Sequence, residues 1–397
     1  MTGRPLHALL LPAASAGRLR DALAAALDGT GPAILPLDPR LPAAQVSALL
    51  AAFAPAALET QGDTQRRLPT APVPPDVAVV IATSGSTGEP KGVQLTAAAL
   101  LHSARASLGR LAARPGERWL CPLPTSHIAG LGVLVRSLVT GTDPVVTGRL
   151  GDDADLAALG CAHVSLVPAQ LRRLLAAGAD LAAVRTILLG GAAVPPGLLA
   201  AARAAGARVV TSYGMSETCG GCVYDGIPLA GVSVRTRDGG RIEIAGPVLF
   251  AGYRGQPGLT AAALADGWFV TSDAGAVDSA GRLTVHGRAD EMINTGGEKV
   301  APGPVAAALE QCPGVREAVV IGVPDPRWGE RVTAIVVPAD PADPPALPAL
   351  RELVAQRLPR YAAPRALLLV PEIPVLGPGK PDLAALRRLA AAADLSS

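Results

Sequence analysis

Eleven consecutive residues, Ala82-Thr83-Ser84-Gly85-Ser86-Thr87-Gly88-Glu89-Pro90-Lys91-Gly92, bring together what an anion needs. The glycines let backbone N–H groups turn toward one point, the hydroxyls of Thr83, Ser84, Ser86 and Thr87 add donors, and Lys91 supplies charge. The stretch follows a β-branched apolar run, Asp76 to Thr83, and precedes an Ala/Leu-rich segment expected to be helical from Thr96 to Arg114. It departs from the Walker pattern, which needs Gly before the lysine and Ser or Thr after it; here Pro90 precedes and Gly92 follows. A kinase or P-loop ATPase is therefore not the expectation. The lysine itself carries information, because the 397 residues hold 32 arginines and only three lysines, Lys91, Lys299 and Lys380. Arginine is a planar fork, whereas lysine brings a compact ammonium to a single oxygen.

Four further stretches carry chemistry-bearing residues. Ser212-Tyr213-Gly214-Met215-Ser216-Glu217-Thr218 joins an aromatic ring to a carboxylate among small and hydroxyl residues. Asn294-Thr295-Gly296-Gly297-Glu298-Lys299 contains the single asparagine of the chain. Leu376-Gly377-Pro378-Gly379-Lys380 carries the last lysine, and Pro124-Thr125-Ser126-His127-Ile128-Ala129-Gly130 carries an isolated histidine. Cys219 and Cys222 have CxxC spacing without a second pair or a nearby histidine, so a metal or redox role is not expected.

These stretches need elements to position them. Strands read at 162–167, 184–189 and 207–211 alternate with helices at 168–177, begun by Pro168, and 195–205. This predicts an α/β fold with helices covering mostly parallel sheets. After about Gly226, short strands among glycines and prolines suggest a barrel-like piece. From about Asp290 a smaller α+β unit begins, with helices at 302–311, 347–358 and 381–392 and strands at 315–322 and 331–337. Hydrophobic residues make up 49% but aromatics only 3%, net charge is +2, and basic residues are scattered, so no nucleic-acid surface is expected. Five cysteines do not make a disulfide framework. The apolar run at 8–11 is too short for a leader or a membrane span, which predicts a soluble, cytoplasmic protein.

On these motifs the chain resembles the adenylate-forming superfamily of acyl-CoA synthetases, luciferases and peptide-synthetase adenylation domains. The resemblance implies a large N-terminal AMP- and acyl-binding domain, residues 1–289, and a small mobile C-terminal lid, residues 290–397. It implies ATP, Mg²⁺ and coenzyme A as cofactors and a small carboxylic acid as substrate. The phosphate loop would comprise Thr83, Ser84, Gly85, Ser86, Thr87, Gly88 and Lys91. Gly190, Gly191 and Ala192 match the adenine-side turn, and Ser212, Tyr213, Gly214, Met215 and Ser216 the adenine signature ending in the metal carboxylate Glu217. Asp273, in Thr271-Ser272-Asp273 where the family has Thr-Gly-Asp, would hold the ribose, with Arg288 beside it and Asp290 as the hinge. Gly297 and Lys299 match the segment meeting the CoA arm, Gly297 giving it room, and Lys380 matches the adenylation lysine. Pro302-Gly303-Pro304-Val305 lacks the Glu usual there.

The segment 162–175, with 26–33, resembles more closely the o-succinylbenzoate–CoA ligases of menaquinone synthesis. In them an arginine at the position of Arg173 serves the second carboxylate of the acid, and the superfamily's acyl-site motif implies that His127, with Gly191, lines the acyl site. The resemblance implies conversion of o-succinylbenzoate to its CoA thioester through an acyl-adenylate. A CoA ligase for another aryl or medium-chain acid is the alternative, and a non-catalytic nucleotide-binding relative a further one. Amino-acid activation is not expected, because the acyl motif has no acid to pair with an ammonium. Homo-oligomer formation is left open.

Overall fold

The computed structural model describes residues 3–66, 70–84, 90–151, 154–376 and 380–394. The chain forms two compact units, one of Met1–Gly191, Ala202–Val234 and Glu243–Val270, the other of Ala192–Ala201, Arg235–Ile242 and Thr271–Ser397.

The first unit is built on two sheets. Strands β1 (Leu6–Leu10), β2 (Ala33–Leu37), β3 (Ala57–Thr60), β4 (Asp63–Arg66), β5 (Val77–Ser84) and β6 (Pro90–Thr96) lie in the order β6-β5-β2-β1-β3-β4. The central four are parallel, and β4 and β6 are antiparallel edges of that set. Helices α1 (Ala16–Asp28), α2 (Ala43–Phe53) and α3 (Ala97–Leu111) accompany them. The second sheet comprises β7 (Trp119–Cys121), β8 (Val145–Val146), β9 (His163–Leu166), β10 (Thr186–Leu189), β11 (Val209–Met215), β12 (Gly220–Tyr224) and β13 (Ile227–Pro228), in the order β13-β12-β11-β10-β9-β7-β8. Its first five strands in the chain run parallel, while β11-β12-β13 form an antiparallel meander. Helices α4 (Ile128–Thr140), α5 (Pro168–Ala176) and α6 (Pro196–Ala204) connect them. The strand runs are continuous in Val, Ile and Leu because they are buried on both faces: Val77 to Ile81 are fully inaccessible.

One expectation is corrected. The phosphate loop does not lead into a helix but closes the β5-β6 hairpin, with Thr83 opposite Lys91 and Ser84 opposite Pro90. Pro90 is tolerated because it opens its strand. Helix α3 starts only at the far end of β6, where Thr96 caps it by accepting the Ala99 N–H at 3.1 Å. Strand β6 therefore separates α3 from the glycine-rich string in the chain.

Beyond β13 lie β14 (Ser233–Arg237), β15 (Arg241–Ala245), β16 (Gly252–Tyr253), α7 (Pro257–Ala263), β17 (Leu264–Ala265), β18 (Trp268–Val277) and β19 (Leu283–Arg288). Strands β14-β15-β18-β17, with β19 also on β18, form the expected separate sheet, whereas β16 joins the edge of the first sheet beside β6. The remainder is α+β: β20 (Ile293–Thr295), β21 (Glu298–Val300), α8 (Pro302–Leu309), β22 (Val315–Asp325), β23 (Gly329–Pro338), α9 (Leu347–Ala355), β24 (Ala366–Leu369), β25 (Val375–Leu376), β26 (Lys380–Pro381) and α10 (Leu383–Asp394). Its core packs α8 and α9 on one face of the β22-β23 pair, through Val305, Leu309, Leu350 and Val354, and α10 on the other, through Leu386. Among the described residues no helix is long and apolar enough to cross a membrane.

A polar column is buried in the second sheet. The Trp119 ring meets both the Arg136 guanidinium, 4.3 Å from its centre, and the His163 imidazole, with ring centres 4.7 Å apart. His163 Nε2 donates to Glu117 at 3.0 Å, and Arg185 holds the other Glu117 oxygen. Burial is the main force holding the His163 pKa below its usual value, and it outweighs the neighbouring Glu117 carboxylate. The folded chain therefore keeps His163 neutral while the unfolded chain takes up a proton near pH ~6.5, so stability falls as pH drops through that value. Thermal melts between pH 7.5 and 5 should show this decline, and His163→Asn should flatten it.

Candidate active site

The adenine signature is a tight β-hairpin. Strand β11 carries Ser212 to Met215, a one-turn 3₁₀ helix holds Ser216–Thr218, and β12 returns, with a bulge between Tyr213 and Gly214. Gly214 is required sterically, since a Cβ there would stand 2.1 Å from the Gly220 carbonyl oxygen. The buried Thr218 hydroxyl ties the turn, accepting the Met215 N–H at 3.0 Å and donating to the Gly220 carbonyl at 2.8 Å. Glu217 is half-buried on this turn.

A residue absent from the motifs completes the arrangement. Tyr253, on β16, donates its hydroxyl to Glu217 Oε1 at 2.8 Å. The Lys91 ammonium stands over the same ring, 5.5 Å from its centre, within cation–π range. Strand β16 pairs with β6, Tyr253 opposite Val93, and the Phe250 N–H donates to the Glu217 carbonyl at 2.9 Å. Burial, reinforced by the Glu217 charge and hydrogen bond, pushes the Tyr253 phenol well above its usual range, so it serves as a donor. Sequence reasoning missed it because two strand residues give no periodicity, although tyrosine occurs only four times in the chain.

Thr83 and Lys91 face each other across the hairpin, the Thr83 hydroxyl 3.4 Å from the Lys91 carbonyl. Gly85, Ser86, Thr87 and Gly88 lie outside the described residues. Gly92 has a packing reason, because a Cβ there would meet the Phe53 ring at 2.8 Å. Gly190 donates to the Leu166 carbonyl at 3.1 Å. Gly191 has φ +83°, and a Cβ on it would sit 3.2 Å from Val167 Cγ1. This brings the start of α5 beside the glycine turn that follows β10. His127 precedes α4, whose Ile128 packs toward Gly220, 3.6 Å from a Cβ built there, so the acyl-motif histidine sits near the adenine hairpin. The field of His127 also reaches Asp38, whose carboxyl is held low chiefly by hydrogen bonds from Arg40. On α5, Arg172 is half-buried and Arg173 exposed; Ala192 is exposed.

The other predicted positions belong to the second unit. Asp273 and Arg288 are opposite each other on β18 and β19. The buried Thr271 hydroxyl donates to the Ile242 carbonyl at 2.8 Å and accepts the Asp273 N–H at 3.0 Å, fixing the backbone at Asp273. Arg288 forks onto Asp290 through Nε at 2.9 Å and Nη2 at 2.7 Å, which raises the guanidinium pKa and lowers that of the carboxyl. Any role of Arg288 at a ribose competes with this pair. Gly296 and Gly297, with φ of 62° and 87°, form the two-residue turn joining β20 to β21, where Lys299 is exposed opposite Asn294. Lys380 opens β26, opposite Leu376 of β25; Gly377, Pro378 and Gly379 lie outside the described residues. The Cys219 and Cys222 thiols are buried and pushed up, Cys222 to about 12.

The AMP-binding enzyme family matches residues 39–253, more than half of the chain, and the C-terminal domain of AMP-binding enzymes matches 305–380. A probable 2-succinylbenzoate–CoA ligase of Mycobacterium tuberculosis is 50% identical over 333 residues, covering 80% of this chain and 86% of that one. A feruloyl-CoA synthase of Amycolatopsis is 36% identical over 338 residues, covering 77% and 68%. The o-succinylbenzoate CoA synthetase of Bacillus subtilis, solved with its acyl-adenylate intermediate, superposes with a TM-score of 0.83 at 27% identity, covering 96% of this chain and 88% of that one. The chain belongs to the AMP-binding enzymes. Within them it is an acid–CoA ligase of the AMP-forming class.

Thr218→Val, near-isosteric, leaves two backbone groups of the hairpin unpaired and should cost about 1–3 kcal/mol. The check is a lower urea midpoint at unchanged slope.

Proposed function

We propose that the enzyme converts o-succinylbenzoate to o-succinylbenzoyl-CoA in two steps, through an acyl-adenylate, using ATP, Mg²⁺ and coenzyme A. The observation that carries the nucleotide chemistry is the Lys91–Tyr253–Glu217 arrangement, which unites a phosphate-loop cation with a candidate metal carboxylate in one rigid unit. The acid is inferred from the relatives that bear its name.

The first step joins two anions, a substrate carboxylate and the α-phosphate of ATP. The site must neutralise that repulsion with preorganised charge. Lys91 and the hairpin donors serve the phosphates. Glu217 would hold Mg²⁺, being a single hard carboxylate on a braced turn, as suits an ion otherwise held by substrate phosphates and waters. When bound there, the ion would offset phosphate charge. The Lys380 ammonium serves the carboxylate and α-phosphate during adenylation. Tyr213 and the Gly190-Gly191-Ala192 turn take the adenine, Asp273 and Arg288 the ribose, and His127 lines the acyl site. In the second step the CoA thiol displaces AMP, its arm passing Gly297 and Lys299, with Asp290 the pivot between residues 1–289 and 290–397. The second carboxylate of o-succinylbenzoate makes the substrate a dianion, for which Arg173 is the proposed fork. We assign the reaction to the cytoplasm, where its charged cosubstrates are found.

Pyrophosphate exchange across a panel of acids, followed by mass detection of the CoA product, tests the substrate. Turnover of benzoates, cinnamates or fatty acids but not o-succinylbenzoate would move the assignment to the aryl or medium-chain alternative. Lys380→Ala should lower adenylation by about 10²–10³-fold or more while still converting pre-made acyl-adenylate to thioester. Arg173→Leu should raise the KM for o-succinylbenzoate and leave the KM for ATP unchanged.

A further inference from the structure

We propose that Tyr253 is a positioning residue that fixes the Glu217 carboxylate for its metal ion. The proposal rests on the assignment of Glu217 to Mg²⁺ made above. Glu217 sits on a single 3₁₀ turn, and nothing in so short an element restrains a glutamate side chain. Its carboxylate is instead held from outside, by a hydroxyl 2.8 Å away.

That hydroxyl has little freedom. The Tyr253 ring is buried, with an edge contact to Phe250 at 4.8 Å between ring centres. The Tyr253 N–H donates to Thr260 Oγ1 at 2.8 Å, and the same hydroxyl donates to the Gln256 carbonyl at 3.0 Å, so the first turn of α7 clamps the strand. On its other side the strand is paired to β6. The segments before and after β16 thus grip Glu217 twice, through the Phe250 N–H on its carbonyl and the Tyr253 O–H on its side chain.

The choice of donor has a chemical consequence. A guanidinium or ammonium would orient the carboxylate equally well but cancel its charge and compete with a cation. A phenol orients it and leaves the full negative charge for the metal. Among the described residues Glu217 has no ion pair, and the nearby Lys91 ammonium is drawn over the tyrosine ring. One side chain therefore meets both charges, presenting its ring to the cation and its hydroxyl to the anion.

The test uses the full-length enzyme with a non-cleavable α,β-methylene analogue of ATP, and follows Mn²⁺ binding by electron paramagnetic resonance in wild type, Tyr253→Phe and Glu217→Gln. The Phe variant keeps the ring under Lys91 and deletes only the donor. Loss of a hydrogen bond to a metal ligand costs on the order of 10–100-fold in metal affinity, so Mn²⁺ should bind that much more weakly. The Mg²⁺ concentration for half-maximal pyrophosphate exchange should rise in parallel, a readout that a purely structural role would not move. A double-mutant cycle with Glu217→Asp, whose shorter carboxylate retreats from the hydroxyl, should show the Tyr253→Phe effect largely gone. Unchanged Mn²⁺ binding in Tyr253→Phe with weakened binding in Glu217→Gln overturns the positioning role and spares the metal assignment. Unchanged binding in Glu217→Gln overturns both, and full additivity in the cycle overturns the route through Glu217.

Discussion

The first unit converges on one hydrogen bond, from the Tyr253 phenol to the Glu217 carboxylate. Three segments far apart in the chain meet there: the β5-β6 hairpin, the β11-β12 hairpin and the short β16 strand. Each is held by its own backbone pairing, so the bond is made between preorganised partners and costs little further ordering. The chemistry requires such rigidity. Charges that must stabilise an anionic encounter are effective only when they need not reorganise as it occurs.

The motifs of this chain mix ligand requirements with packing requirements, and coordinates separate the two. Gly92 closes the phosphate-loop string, yet its small size answers the Phe53 ring beneath it. Gly214 answers the Gly220 carbonyl across the hairpin. Gly296 and Gly297 supply the positive φ that a two-residue turn demands, so their presence does not by itself signal a pantetheine channel. Lys91 and Glu217 instead bring opposite charges to one tyrosine ring, a need that packing alone does not create, and they are where the functional reading is strongest.

The alternation of apolar runs and Ala/Leu segments made β9 to β11 of the second sheet with α5 and α6, and the helices and long strands of the α+β unit, legible, with ends displaced by at most four residues. The strand before the phosphate loop was also readable, because burial on both faces leaves a continuous β-branched run. Strand β6 was not, since Pro90 and Gly92 disguise a strand that owes its existence to its partners β5 and β16. Elements β1 to α2 were missed for a related reason: each strand is only four or five residues long and one contains Pro36, so local preference says little. Tyr253 was invisible in principle, because its role arises from a tertiary contact with a turn that follows another sheet's strand.

The cysteines have a bearing on an enzyme whose cosubstrate is itself a thiol. Four of the five are buried, and the three most enclosed are held far from ionisation, Cys121 pushed up to about 11. Exchange with a disulfide of coenzyme A requires a thiolate attacker. At Cys121, Cys219 and Cys222 burial thus withholds a thiolate that could compete with the cosubstrate thiol.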